Sequence, residues 1–177
     1  LLYFSQGRYS EAEPLFRDAL AMRQRLLGEA HPHVAASMNN LAGLYSSQER
    51  YSEAELLFRD ALALRQRLLG EAHPAVATSM NNLALLYFLQ GRYSEAEPLY
   101  RDALAMRQRL LGEAHPAVAN SLFNLGALRY QQGQLNAAQA LLLEALPIYL
   151  ATLGPDHPDT RNLQSWIDGV QTALDAS

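Results

Sequence analysis

The chain is 177 residues long, 49% hydrophobic and 18% charged, with a formal net charge of -4 and a pI near 5.7, a balance that excludes a disordered chain and leaves enough apolar surface for a continuous core. Its 14 cations are all arginines spread along the chain, so there is no basic footprint for nucleic acid or an anionic membrane, and no apolar run approaches the roughly 20 residues of a membrane span. Cysteine is absent, which excludes a disulfide framework and a thiolate metal site and suits a reducing, cytoplasmic location.

The chain opens inside a repeat, at Leu1-Leu2-Tyr3-Phe4, which reads as the end of a helix over about 1–6 and the chain as a piece of a longer protein. Ser10–Glu13 then has the S-x-x-E form of a capping box, in which serine accepts from a free amide and glutamate reaches back to the cap. It announces a helix over 11–27, with Pro14 in its first turn. Gly28-Glu-Ala-His-Pro32 follows, and proline at a first helical position starts a helix over 32–48. The next elements repeat these two. Ser52–Glu55 opens a helix over 53–69 whose Ala54, Leu57, Phe58, Ala61, Leu64 and Leu68 fall on one face, and Gly70 ends it as a left-handed cap residue. Helices over 74–90, 95–111, 116–132, 137–153 and 158–174 continue the alternation, with Pro98 again in a first turn and Pro147 placed to kink the penultimate helix.

Residues 39–80 recur almost verbatim as residues 81–122, so the period is 42, and each period is one pair of antiparallel helices. Such an array favours an extended binding surface over a catalytic pocket, because each unit mainly contacts its neighbours. The repeats are about 1–31 (partial), 32–73, 74–115 and 116–157, followed by a capping helix over 158–174 with Arg161, Asn162, Asp168 and Gln171 on a polar face; together they read as one domain over 1–177.

Leu41-Ala42-x-x-Tyr45 and Ala54-x-x-x-Phe58 resemble the L-G-x-x-Y and A-x-x-x-F signatures of the tetratricopeptide repeat, and they recur as Leu83-Ala84 with Tyr87, Ala96 with Tyr100, Leu125-Gly126, and Ala12 with Phe16. The long period, with Asn-Asn-Leu-Ala and Leu-Gly-x-x-His-Pro, is similar to the kinesin light chain subfamily and its bacterial relatives. The resemblance implies an all-α fold, a right-handed superhelical solenoid of antiparallel helix pairs with a C-terminal capping helix. It also implies that the first helix of each pair lines a concave groove for a peptide or protein segment.

Comparing the two best copies separates frame from surface. Gly43/Leu85, Ser46/Phe88, Ser47/Leu89 and Thr78/Asn120 are the radical differences, and they lie mostly on one side of the first helices. The groove is therefore expected to carry a ladder of Asn40, Asn82 and Asn124 with Asn39 and Asn81 beside it, and an apolar pocket of Leu85, Phe88 and Leu89 flanked by Tyr130. Amide side chains both donate and accept, so such a row can hold a peptide backbone without reading its sequence, or it can bridge adjacent repeats. A carboxylate clamp is not expected, because the first helices carry only Arg129 and Arg161. The Arg23, Arg65, Arg107 and Arg25, Arg67, Arg109 ladders read as a solvated face; acidic peptides stay among the candidate ligands if one ladder edges the groove.

His31, His73, His115 and His157 occur once per repeat, too far apart to share an ion, and read as helix-start residues. There is no nucleophile triad spacing, phosphate loop or H-E-x-x-H, so no catalysis, metal or cofactor is expected. The reading is a protein-interaction scaffold. The alternatives are a self-associating structural module, docking through groove or exposed end, and the sensor arm of a larger signalling ATPase or protease.

Overall fold

The computed structural model describes residues 7–176, and the helix read over 1–6 lies outside them. Among the described residues there are eight α-helices and no strand: α1 Tyr9–Leu27, α2 Pro32–Ser47, α3 Tyr51–Leu69, α4 Pro74–Leu89, α5 Tyr93–Leu111, α6 Pro116–Gln131, α7 Leu135–Thr152 and α8 Pro158–Asp175. They fall into two compact units, Leu1–Gln90 with α1 to α4 and Gly91–Ser177 with α5 to α8. In each unit consecutive helices pack on one another through short turns, α2 on α3 and α6 on α7 most extensively, and α2 also touches α4.

The even-numbered helices start where proline places them, at Pro32, Pro74, Pro116 and Pro158. The preceding histidine is the N-cap: Nδ1 of His31, His73, His115 and His157 accepts from the backbone N–H two residues on at 3.0 to 3.2 Å. A neutral imidazole thus does the work that serine or aspartate does at other helix starts.

The odd-numbered helices correct the capping-box expectation. They begin at Tyr9, Tyr51 and Tyr93, and Ser10, Ser52 and Ser94 sit inside the first turn; the N-caps are Arg8, Arg50 and Arg92, with no side-chain cap bond. Each arginine instead grips the glutamate three residues on, as Arg50 does with Glu53 at 2.6 and 2.7 Å, which also holds a carboxylate in the first turn where the helix dipole favours it. Because the helices start earlier, Pro14 and Pro98 lie in the second turn, inside the helix. Pro147 likewise lies inside α7, which continues to Thr152. Gly28, Gly70 and Gly112 close the odd helices with φ of 79 to 83° and ψ of 156 to 166°. That extended positive-φ region is essentially restricted to glycine and is not the left-handed helical cap expected from the sequence.

The Arg23, Arg65 and Arg107 ladder is not a solvated face. Arg65 Nη1 donates to Ser79 Oγ and to the Ala75 carbonyl, both at 2.9 Å. Arg107 does the same with Ser121 Oγ at 2.7 Å and the Ala117 carbonyl at 3.1 Å, and Arg23 with Ser37 Oγ at 2.7 Å. Each arginine ties an odd helix to the next even helix. In α7 both partners change together: Tyr149 takes the arginine position and hydrogen-bonds Asn120, and Leu163 takes the serine position. Arg25, Arg67 and Arg109 are exposed, as expected.

Gly126 lies where α6 and α7 pack; a Cβ there would stand 2.9 Å from Leu142 Cδ2. Arg129, at the position of Tyr45 and Tyr87, reaches Glu97 at 2.8 and 3.1 Å and Gln132 at 2.9 Å. One described helix, α7, is long and apolar enough to cross a membrane by length and composition, with a mean hydropathy of 1.2 over 18 residues. This departs from the sequence expectation. It packs against α6 and α8 and buries Ala138, Leu142, Ala145 and Tyr149. On α8, Arg161, Asn162, Asp168 and Gln171 are exposed, as the capping reading requires.

Candidate ligand groove

A hollow of about 390 Å³ opens in the first unit between α2 and α4. One wall is polar and small: Asn39, Asn40, Gly43, Ser46 and Ser47 of α2. The other is largely apolar: Leu85, Leu86 and Leu89 of α4, with Asn82 at its end. Phe16 of α1 and Phe58 of α3 complete the lining. Leu85 and Leu89 are 40% and 51% exposed, unusual for leucines inside a concave surface. The pairing follows from the sequence difference between the copies, since α2 carries Gly43 and Ser47 at the positions of Leu85 and Leu89; small residues on one helix leave the space that large ones on the next look into. No charged residue lines the hollow.

Its polar end is organised by a chain of hydrogen bonds. Asn39 is buried; its Nδ2 donates to the Ala35 carbonyl at 3.0 Å and to Ser79 Oγ at 3.2 Å, and its Oδ1 accepts from Asn82 Nδ2 at 3.2 Å. Ser79 Oγ also accepts from Arg65. Asn39 therefore bridges two even helices, which fixes the orientation of Asn82, whereas Asn40, one residue further round the helix, is exposed to solvent at the rim.

Of the residues singled out by the sequence, the structure brings Asn39, Asn40, Asn82, Leu85 and Leu89 together around this hollow. Asn81 and Phe88 are half-buried and outside its lining. Asn124 and Tyr130 belong to the second unit, where Tyr130 lines a separate hollow of about 260 Å³ with Asn162, Ser165, Trp166, Gly169 and Val170. There Trp166 meets Phe123 and Tyr130 edge-on, with ring centroids 5.8 and 5.7 Å apart. Sequence reasoning placed Phe16 and Phe58 in the core and missed their part in the groove. It also missed the Trp166 cluster, for which the signal was available: Trp166 stands one period after Asn124 and two after Asn82.

The pattern of the tetratricopeptide repeat family matches residues 1–67, 57–109 and 76–151. Among solved structures, BtubC (BKLC) from P. vanneervenii is similar over 98% of this chain and 69% of its own, with 30% sequence identity and a TM-score of 0.83. A putative kinesin light chain of Podosopora anserina with nearly identical TPR-like repeats is similar over 98% of this chain and 82% of its own, with 27% identity and a TM-score of 0.78; a point variant of that protein gives 0.79. No curated protein matches this sequence.

Proposed function

The chain belongs to the tetratricopeptide repeat family, in its kinesin light chain-like form, and from that premise we propose that this protein-interaction scaffold holds a segment of a protein partner in the hollow between α2 and α4. The observation that carries the reading is the pair of exposed leucines, Leu85 and Leu89, facing a wall of Asn40, Gly43, Ser46 and Ser47 across about 390 Å³. The leucine side receives one large apolar side chain of the partner. The amides and hydroxyls opposite hold its backbone without demanding a particular sequence. With no charged group in the lining, affinity depends little on salt.

A peptide library screened against the full chain is expected to yield extended or helical segments sharing a large apolar anchor. Leu89→Ser copies Ser47 of the preceding repeat at a half-exposed position, so it leaves the denaturation midpoint unchanged while weakening those peptides about tenfold, roughly 1.4 kcal/mol. Wild-type affinity in that variant removes the groove from the mechanism.

A further inference from the structure

α1 and α3 are near copies, YSEAEPLFRDALAMRQRLL and YSEAELLFRDALALRQRLL, yet one face that α3 buries is bare on α1. Ala61 is fully buried and Leu64 is 7% exposed, because Val34 and Ala35 of α2 lie on them with Met38 alongside. Their counterparts on α1, Ala19 and Met22, are exposed, Met22 at 54%, and Leu15 and Leu26 beside them reach 55% and 68%.

The polar contacts repeat the same asymmetry. Around Ser79, Arg65 donates from one side and Asn39 from the other, and Asn82 completes the set by donating to Asn39. Around Ser37, Arg23 is in place at 2.7 Å, and Asn40, the counterpart of Asn82, is exposed at the edge of a hollow of about 300 Å³ bounded by Leu15, Phe16, Ala19, Arg23, Ser37 and Asn40. The apolar face and the serine socket are thus both formed on α1 and α2, continuous with the interface that α2 makes on α3 and α4.

We infer that this surface is a docking site for an amphipathic helix of the repeat's own even type, supplied in trans. Its Val-Ala-x-x-Met face covers Ala19, Met22 and Leu26, and its first asparagine donates to Ser37 and accepts from Asn40, as Asn39 does with Ser79 and Asn82. A folded second copy does not offer that helix through its C-terminal end. On α8 the covering positions hold Arg161, Gln164, Asp168 and Gln171 where α2 has Ala35, Met38, Ala42 and Tyr45, so docking α8 would bury two charges against apolar side chains.

The probe is a fluorescent peptide of residues 31–48, titrated into the full chain and followed by anisotropy, with sedimentation velocity of the chain alone alongside. Saturable binding is expected. It weakens at least tenfold in Met22→Glu, an exposed site where the fold is unaffected, and when the peptide's asparagine at position 39 is alanine, but not in Leu89→Ser. A peptide of residues 158–174 is expected not to bind. Absence of binding overturns the proposal, as does equal binding to Met22→Glu, which would put the peptide elsewhere. A chain that is dimeric alone, becomes monomeric with Met22→Glu and ignores the peptide would assign the face to a second copy instead.

Discussion

Thr160 is fully buried, and its Oγ1 has no hydrogen-bond partner. Val34, Val76 and Val118, each at most 1% exposed, hold the same position in the other repeats. The two side chains have nearly the same shape, so the hydroxyl is a desolvated polar group with nothing in return. Thr160→Val is expected to raise stability by about 1–2 kcal/mol in urea denaturation; an unchanged midpoint would mean that the hydroxyl is satisfied. Glu97 is the opposite case. Hydrogen bonds from Arg129 and then Gln132, with the nearby charges of Arg129 and Arg101, hold its carboxyl below the ordinary carboxylate range. A carboxyl whose folded pKa is depressed contributes stability above its unfolded pKa and loses it as pH falls through the folded value. Glu97→Gln is therefore expected to cost about 1–3 kcal/mol at pH 7, with the difference from wild type shrinking below about pH 4.5 and gone at strongly acid pH. A difference that is constant with pH would make the role of Glu97 one of shape alone.

At the scale of the helix, the copies act as internal controls. Pro98 of α5 occupies the position of Leu56 in α3, and Leu56 is 63% exposed, so nothing is packed there that a change would disturb. Proline in the second turn removes the N–H that would reach the Ser94 carbonyl. Pro98→Ala is expected to stabilise by about 2–3 kcal/mol, read from the denaturation midpoint; no gain would show that the Ser94 carbonyl loses nothing to water. The turns between even and odd helices show the same economy. Gly91 and Gly133 sit at φ of 72 and 74°, and Glu49, their counterpart, adopts φ of 60° because the turn geometry is set by the helices it joins.

At the scale of the whole molecule, burial is distributed unevenly over nearly identical sequences. Hydrogen exchange measures this directly, since α1 and α3 differ only at Pro14/Leu56 and Met22/Leu64. Amides of Ala19–Leu26 are expected to exchange at least about tenfold faster than those of Ala61–Leu68, because local opening of α1 exposes little additional apolar surface. Equal protection would mean that the face of α1 is covered in solution. The same logic gives the array its function: copies of one frame, each free to vary the few residues that face the ligand.

The sequence by itself determined the period, the helix pairing and nearly every helix end, because these rest on interactions within about four residues: 3.6-residue apolar spacing, proline at a first turn, glycine after a last one. It also exposed the variable wall of the groove through Gly43/Leu85 and Ser47/Leu89. Only the tertiary structure decided the roles of adjacent or periodic residues whose chemistry is alike. Asn39 is buried as a bridge while Asn40 stands in solvent, since neighbours on a helix point about 100° apart and packing chooses which turns inward. Arg23, Arg65 and Arg107 became internal ties while Arg25, Arg67 and Arg109 stayed in water for the same reason. The odd helices start before their serines because the arginine that grips the first-turn glutamate is positioned by the preceding turn, and in Arg50 also by the Tyr45 ring 4.0 Å away and by Glu13 of α1.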